Sequence, residues 1–325
     1  MLPIFSLLCK RFRYNLHGLI AILGSTLLTG CLSTPQTKQL THHTNHAFAT
    51  TIEHSQTPFY SQQRFHCGPS ALATAMDVAG THQPYNTIAK KVYLPGRKGS
   101  LPTDLIGATR RFGLVAYKLK PSLNDLLTEL SHGNVVIVFQ NLGVKWIPRW
   151  HYAVAIGYNL NNKTIILRSG KHKRRVTKLK LFERTWKRSG YWAMVVTPVT
   201  RIPKTANAVN WLSALNIYEK QNKTSKLISV SYTKSITRWP NDSLLHMAFG
   251  NYWYRHKRYS KAAPLYRKAS KIDPSNGDAW NNLANLMLQK KRYKLARQYS
   301  LKAVAAGGRN LKIYQLTLKQ IEKRN

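Results

Sequence analysis

The sequence predicts an α+β domain followed by an all-α region of helical repeats. Two observations support this division. Between residues 58 and 203, helix-forming segments come first and short apolar runs typical of strands follow, an order that favours separate helical and sheet lobes over alternating βαβ units. After Pro203 the strand pattern ends and a 34-residue period replaces it. We therefore expect one domain at 58–203 and a second at 204–325.

The amino terminus has the pattern of a secretory signal. Basic residues at positions 10, 11 and 13 precede an apolar stretch from Leu19 to Leu28, which is short for a membrane span. The stretch ends in Leu-Thr-Gly-Cys, which resembles the bacterial lipobox and implies lipidation of Cys31. A plain signal with a chance cysteine is the alternative. We expect residues 1–30 to be a signal peptide and the mature chain to be lipid-anchored outside the cytoplasm.

The charge of the chain indicates an anionic environment. Its 325 residues carry 51 Lys and Arg against 11 Asp and Glu, a formal net charge of +40, and a compact domain with this charge repels itself without counter-charges. Outside the cytoplasm, anionic membrane or envelope polymer is the expected partner and nucleic acid is not. Leu32 stands where an Asp would favour inner-membrane retention, so the periplasmic face of the outer membrane is expected if the cell is Gram-negative.

Residues 31–57 read as a tether between the anchor and the first domain. The segment is rich in Thr, Gln and His and has few large apolar residues. Its His42, His43 and His46 allow a metal site as an alternative, but no carboxylate or cysteine accompanies them. A solvated linker is the favoured interpretation, and no metal or other cofactor is expected.

The first domain opens with helical segments. Residues 68–76 are helix formers, with Pro69 in the first turn, where its missing N–H does no harm, and Gly80 as a stop. A second helix is predicted after Ser100. Pro58 marks the start of the domain.

A third helix is predicted from Ser122 to Gly133, since Asp125 lies three residues after the serine in a capping-box pattern. Apolar and alternating runs then predict sheet strands. These runs are residues 135–140, 151–158, 165–167 and 192–196.

The region after Pro203 repeats itself every 34 residues. Seven residues recur at this offset, and the positions of the first copy are Asn251, Lys257, Arg258, Tyr259, Ala262, Lys268 and Ala269. The pair Phe249-Gly250 likewise corresponds to Leu283-Ala284. The period resembles the tetratricopeptide repeat. We predict a degenerate repeat at 207–240, repeats at 241–274 and 275–308, and a terminal helix at 309–325. An ordinary helical bundle is the alternative architecture. If the region is a repeat array, it is expected to bind a protein partner.

Cys67 is the candidate nucleophile, because it is the one cysteine outside the predicted signal and lipid anchor. It precedes Gly68, Pro69 and a helix, so the unpaired N–H groups and the positive dipole end are expected to lower the pKa of its thiol. The adjacent glycine is expected to let a substrate approach closely. A buried structural cysteine is the alternative.

His151 is the candidate base for this thiol. It starts a predicted strand, a stiff element that can hold an imidazole in place, although a structural histidine at a strand end is the alternative. Gln62 lies five residues before Cys67 and is a candidate oxyanion donor together with backbone N–H groups. Gln63 is the alternative donor.

These residues together resemble the bacteriocin-processing cysteine peptidases of peptidase family thirty-nine, which have a papain-like fold. The resemblance covers about residues 58–200 and rests on QQRFHCGPSALA at 62–73 and HYAVAIGY at 151–158. The stretches YLPGR at 93–97 and LRSG at 167–170 resemble a lipoprotein branch in which tetratricopeptide repeats follow the peptidase. The resemblance implies nucleophile Cys67, base His151 and oxyanion donor Gln62.

The sequence departs from the family in two respects. It has no further membrane span and no G-x-x-x-x-G-K motif, so ATP is not implied. The family also has an Asp after the histidine, whereas the corresponding position here is Ser169. Asn159, Ser169, Glu183 or no residue at all is left to orient His151.

The sequence therefore predicts a membrane-anchored cysteine peptidase that hydrolyses peptide bonds and binds a protein partner through its repeats. A peptide-binding adaptor without hydrolysis and a cell-wall amidase are the alternatives. The basic stretch at 171–175 has two interpretations, a guide for acidic peptide or anionic lipid and a solvated hairpin. Trp146, Trp150 and Trp192 are expected in the core or in the cleft lining.

Overall fold

The computed structural model describes the chain in three stretches. These stretches are residues 33–42, 48–222 and 225–324. They divide into two units, the first comprising the described residues up to Thr109 together with Lys118–Val196. The second unit comprises Arg110–Tyr117 and the described residues from Thr197 onward. The predicted signal peptide and Cys31 lie outside the described residues.

The described residues from Thr51 to Thr197 form an antiparallel sheet with accompanying helices. Its strands are β1 (Thr51–Glu53), β2 (Val115–Lys118), β3 (Val136–Asn141), β4 (Trp150–Asn159), β5 (Thr164–Ser169), β6 (His172–Lys178) and β7 (Ala193–Thr197). The order is β2-β7-β3-β4-β5-β6, and β1 pairs with β4. The four predicted strands correspond to β3, β4, β5 and β7. The three that sequence patterning missed are two short strands and β6, whose residues are mostly exposed.

Six helices accompany the sheet in the described residues up to 196. They are α1 (Pro35–His42), α2 (Cys67–Val78), α3 (Tyr85–Val92), α4 (Pro102–Arg111), α5 (Leu123–Ser131) and α6 (Leu179–Lys187). The predicted helices correspond to α2, α4 and α5, and the Ser122 hydroxyl accepts a hydrogen bond from the Asp125 N–H at 3.1 Å, as the capping pattern indicates. Helix α2 packs against β4. This packing brings the amino end of a helix to the start of a central strand.

The interpretation of residues 31–57 as a tether is wrong for the part that the structure describes. Helix α1 forms within it, and the buried Glu183 carboxylate accepts hydrogen bonds from the N–H groups of Gln36 and Thr37 at 3.0 and 2.7 Å. Strand β1 pairs with the end of β4, where a side chain on Gly157 would lie 2.3 Å from the Ile52 carbonyl oxygen. These partners lie more than 100 residues away, so local composition does not reveal them. His43 and His46 lie outside the described residues.

The second unit contains the helical repeats. Its helices are α7 (Ala208–Gln221), α8 (Leu227–Arg238), α9 (Ser243–Arg255), α10 (Tyr259–Ile272), α11 (Gly277–Gln289), α12 (Tyr293–Ala306) and α13 (Leu311–Glu322). The 34-residue period also appears in the backbone, because Lys257 and Lys291 both adopt φ +55° in the turns inside their pairs. The fold class predicted from the sequence is confirmed. No helix among the described residues is long and apolar enough to cross a bilayer.

A close contact joins the two helices of the α9–α10 pair. A side chain on Gly250 would lie 2.5 Å from the Tyr266 ring, and the Tyr266 hydroxyl donates a hydrogen bond to the Asn251 side chain at 2.8 Å. Thirty-four residues later the corresponding positions are Ala284 and Ser300, both fully buried. Glycine is thus combined with the large tyrosine in one repeat, and the larger alanine is combined with the small serine in the next.

Candidate active site

Cys67 is the first residue of α2 and is half-buried. Phe65, two residues earlier, adopts φ +65°, a backbone conformation that an aromatic residue rarely takes. The turn that contains Phe65 directs the chain into the helix. Cys67 lines a small pocket together with Tyr152 of β4 and Ser169 of β5. Because Tyr152 follows His151, the thiol lies against the start of β4.

Gly68 serves packing within the protein. A side chain at this position would lie 2.4 Å from the Ser100 hydroxyl oxygen. The segment around Ser100 therefore fits closely over the start of α2. The expectation that this glycine admits a substrate is wrong, because the protein's own chain occupies the space.

His151 lies near the start of β4, where it pairs with Gln140 of β3. The His151 Nε2 lies 2.8 Å from the Ser169 hydroxyl at the end of β5. Ser169 is buried, and its contact leaves Nδ1 as the ring nitrogen available to another group. In the described part of the chain, no hydrogen bond joins the His151 ring to the Cys67 sulfur.

The two other candidates for orienting His151 are occupied elsewhere. Asn159 lies at the far end of β4, where its side-chain oxygen accepts a hydrogen bond from the Asn162 N–H at 2.8 Å. Glu183 holds the amino end of α1, as described above. Ser169 is therefore the residue that the tertiary structure brings to the His151 ring.

Burial sets the protonation states of the two central groups. It raises the pKa of the Cys67 thiol, and the nearby backbone N–H groups, which act in the opposite direction, only partly offset this effect. The expectation of a lowered thiol pKa is therefore wrong. Burial also lowers the pKa of His151 to about 4, with a smaller contribution from the nearby Arg175. At neutral pH the site holds a neutral thiol and a neutral imidazole.

Gln62 shares a small pocket with the thiol. Gln62, Cys67 and Ser169 all line this pocket. The Gln62 N–H donates a hydrogen bond to the Gly170 carbonyl at 3.1 Å, which fixes its backbone to the turn after Ser169. Gln63 is exposed and lines neither this pocket nor the larger cavity beside Cys67. The geometry therefore favours Gln62 over Gln63 as the residue that faces the thiol.

A cavity of about 640 Å³ opens beside Cys67. Its lining is aromatic and basic, without a carboxylate, and comprises Gln62, Phe65, Cys67, Arg97, Lys98, Gly99, Ser100, Leu101, Pro102, Phe139, Arg149, Trp150 and Tyr152. A volume of this size admits several residues of an extended peptide. The cationic rim favours peptides that carry acidic side chains.

The three tryptophans lie in different environments. Trp150 lines the cavity and Trp192 is buried, as expected. Trp146 is 80% exposed, so the expectation of a core or cleft position is wrong for this residue. Trp146 lies in the loop between β3 and β4, and the sequence pattern did not reveal that it is exposed there.

The basic stretch forms part of a solvated hairpin. Residues 172–178 form the edge strand β6, with mostly exposed side chains. Arg174 makes two hydrogen bonds to the Glu53 carboxylate, at 2.7 and 2.9 Å, and this pairing lowers the pKa of Glu53. Arg168 of the adjacent strand is buried and donates to the carbonyls of Ser55 and Thr57. These contacts hold the segment that leads to Gln62. The described residues contain no group of three or more His, Cys, Asp or Glu that is suited to a metal.

The arrangement defines a papain-like thiol-peptidase fold joined to helical repeats. Residues 54–194 match the Peptidase_C39 like family, and residues 254–316 match the tetratricopeptide repeat. The chain thus carries a peptidase C39-like domain followed by tetratricopeptide repeats, and the family resemblance inferred from the sequence is confirmed. A search of curated proteins found no match.

Three solved structures illustrate the likeness. A putative C39-like peptidase from Bacillus anthracis matches with a TM-score of 0.40 and 15% identity, covering 48% of this chain and 100% of its own. A double glycine motif protease from an AMS/PCAT transporter, in complex with the leader peptide, matches with a TM-score of 0.34 and 17% identity. The match covers 44% of this chain and 93% of that protease chain. The Sgt2 tetratricopeptide domain from Aspergillus fumigatus matches with a TM-score of 0.33 and 20% identity. This match covers 36% of this chain and 78% of the Sgt2 chain.

Proposed function

We propose that the protein is a lipid-anchored, extracytoplasmic cysteine peptidase in which Cys67 is the nucleophile and His151 the base. One observation carries this proposal: Cys67 lines the same pocket as Tyr152, the residue after His151, and as Ser169, whose hydroxyl lies 2.8 Å from the His151 ring. The nucleophile and the base thus lie on adjacent elements beside a peptide-sized cavity.

The protonation states favour general-base activation of the thiol. His151 Nδ1 takes the proton of the Cys67 thiol as the sulfur attacks the peptide carbonyl carbon, because both groups begin neutral. The C–N bond then breaks, and the imidazolium gives the proton to the departing amine. His151 next takes a proton from water, whose oxygen attacks the thioester, and this proton returns to the sulfur as the acid is released.

Gln62 and backbone N–H groups supply the oxyanion site in this proposal. Gln62 lines the same small pocket as Cys67, and its side-chain N–H is the proposed donor to the negative charge that develops on the substrate oxygen. The Cys67 N–H at the start of α2 adds a second donor, because the first N–H groups of a helix have no partner within the helix.

The repeats are proposed to bind a protein partner, since stacked helix pairs of this kind present an extended surface. Asn285 on α11 is half-buried and recurs from Asn251 at the repeat offset. We expect Asn285→Ala to weaken binding of the chain to a peptide array without changing the melting temperature. Asn282→Ala, at a neighbouring asparagine of α11, is the comparison. An array pattern that neither substitution changes would contradict this role.

The nucleophile proposal is tested with Cys67→Ala and an exposed neighbour as control. The full chain, Cys67→Ala and Ser61→Ala are incubated with a peptide library and with a peptidyl vinyl sulfone, and products and adducts are read by mass spectrometry. We expect cleavage and the adduct on the Cys67 peptide in the parent and in Ser61→Ala, and neither in Cys67→Ala. Cleavage that survives in Cys67→Ala would overturn the proposal.

Two other outcomes correspond to the alternative functions. Peptide binding without cleavage by the parent would indicate an adaptor. Cleavage of purified wall fragments with no cleavage of peptides would indicate an amidase, because the same thiol chemistry serves both reactions.

A further inference from the structure

An exposed apolar tip separates β3 from β4. We define the tip loop as residues 142–150. Trp146, Ile147 and Trp150 are 80%, 66% and 52% exposed, and Leu142 and Val144 are exposed as well. Single exposed apolar residues are common on protein surfaces, but here five fall within nine positions of one turn and together form an apolar patch. Such a patch indicates a contact surface.

The backbone of the tip loop is held in shape by the protein itself. The buried Asn141 side-chain oxygen accepts hydrogen bonds from the N–H groups of Gly143 and Arg149, at 2.9 and 2.8 Å. Leu142 and Val144 donate to carbonyls on the returning segment. A side chain on Gly143 would lie 2.2 Å from the Ile147 carbonyl oxygen, so the turn requires glycine. The loop therefore presents its apolar side chains on a backbone whose polar groups are largely paired.

The charges around the tip loop have one sign. Lys145 and Arg149 are exposed within it, and the Arg188 guanidinium donates to the Gly143 carbonyl at 2.5 Å. The sequence has no acidic residue between Glu129 and Glu183. Aromatic and aliphatic side chains flanked by cations are the composition that binds at the interface of an anionic bilayer.

The start of the described chain lies at the same end of the unit. The Ser33 hydroxyl accepts a hydrogen bond from Lys187 at 3.1 Å, and the next residue, Arg188, contacts the tip loop. Ser33 follows the candidate lipidation site Cys31 by two positions. An anchor at Cys31 and the tip loop would therefore face the same membrane.

We propose that the tip loop is a membrane-docking element that inserts Trp146 and Ile147 into the interface of an anionic lipid surface. Neither side chain lines the cavity beside Cys67, so the described structure gives neither a role in holding peptide there. Trp150 and Arg149 do line the cavity. Docking thus places the mouth of the cavity at the headgroup level, where membrane-bound peptides are accessible. Membrane docking does not require Cys67 to be catalytic.

The test measures hydrogen–deuterium exchange of the full chain carrying Cys67→Ala, with and without vesicles. Vesicles of phosphatidylglycerol and phosphatidylcholine are compared with vesicles of phosphatidylcholine alone. We expect slower exchange of residues 142–150 on the anionic vesicles only. Because the chain cannot cleave peptide in this background, the result is independent of the proposed peptidase activity.

The matched variants are Trp146→Ser with Ile147→Ser, and Leu316→Ser, whose parent side chain is 67% exposed in the second unit. Removing the two side chains of the tip loop is expected to weaken partitioning to anionic vesicles at least about tenfold and to abolish the local protection. Leu316→Ser is expected to change neither. Loop amides that stay unprotected in a vesicle-bound chain would overturn the proposal. An acidic peptide is added in a separate sample, and protection by this peptide without protection by vesicles would also overturn it.

Discussion

The His151 Nε2 lies 2.8 Å from the Ser169 hydroxyl oxygen, and these two residues are 18 positions apart on adjacent strands. Where the family resemblance implies a carboxylate, this protein places an uncharged hydroxyl. A carboxylate accepts a hydrogen bond from Nε2 and so fixes the tautomer in which Nδ1 is basic, whereas a hydroxyl can accept or donate. The serine positions the ring without supplying a charge that would stabilise the imidazolium.

The first prediction is that Ser169→Asp increases peptidase activity. A cavity of about 320 Å³ adjoins Ser169 and is lined by Arg149 and Arg175, so a carboxylate has both space and nearby cations. The carboxylate would fix the tautomer and stabilise the imidazolium, and we expect kcat/KM to rise about tenfold or more. The pKa of His151 would rise as well, which moves the acidic limb of the pH–rate profile upward.

The matched control for this prediction is Ser169→Asn, which has the size of the aspartate variant without its charge. Ser169→Ala removes the hydrogen bond and is expected to lower kcat/KM about fivefold, which corresponds to about 1 kcal/mol. Equal pH–rate profiles for the aspartate and asparagine variants would show that charge at this position has no part in the mechanism.

The second prediction concerns pH. Because the pKa of His151 is lowered to about 4, its ring stays neutral and able to accept a proton well below the ordinary value of 6.5. We therefore expect the acidic limb of kcat/KM near pH 4. Folding stability should fall as pH decreases from 6.5 to 4, since in this window the unfolded state binds a proton that the folded state excludes. Urea unfolding of the parent and of His151→Gln checks the sign.

The thiol provides an independent measurement of the same site. Because burial raises the pKa of Cys67, its alkylation by iodoacetamide, followed on the Cys67 peptide by mass spectrometry, should be slow at pH 7 and should increase through a midpoint above the ordinary thiol value. A midpoint below the ordinary thiol value would instead mean that a thiolate–imidazolium pair exists before substrate binds.

The third prediction concerns the repeats. Gly250→Ala places a methyl group about 2.5 Å from the Tyr266 ring and is expected to cost about 1–3 kcal/mol of folding stability. Tyr266→Ser recreates the Ala284 and Ser300 combination, so the cost of Gly250→Ala should largely disappear in that background. Hydrogen exchange of α9 and α10 amides in urea measures the four members of this cycle. Additive effects would mean that the contact does not limit residue size.

The candidate site was only partly predictable from the sequence. Cys67, Gln62 and His151 were identified by residue type and spacing, because a helix start and an alternating strand are local patterns. Ser169 was one of three candidates, and only the alignment of β4 with β5 selected it. The tip loop was missed, since the exposure of Trp146 depends on how the loop folds and not on its neighbours in sequence.

The sequence by itself determined the two-part architecture, the position of the thiol at a helix start and the repeat period, because each follows from residues close together in the chain. Only the tertiary structure decided the ionisation of Cys67 and His151, the partner of the imidazole and the role of residues 33–42 and 48–53 in the fold. These properties depend on burial and on contacts between residues far apart in sequence, and the free energy of a buried charge is set by the atoms that surround it in space.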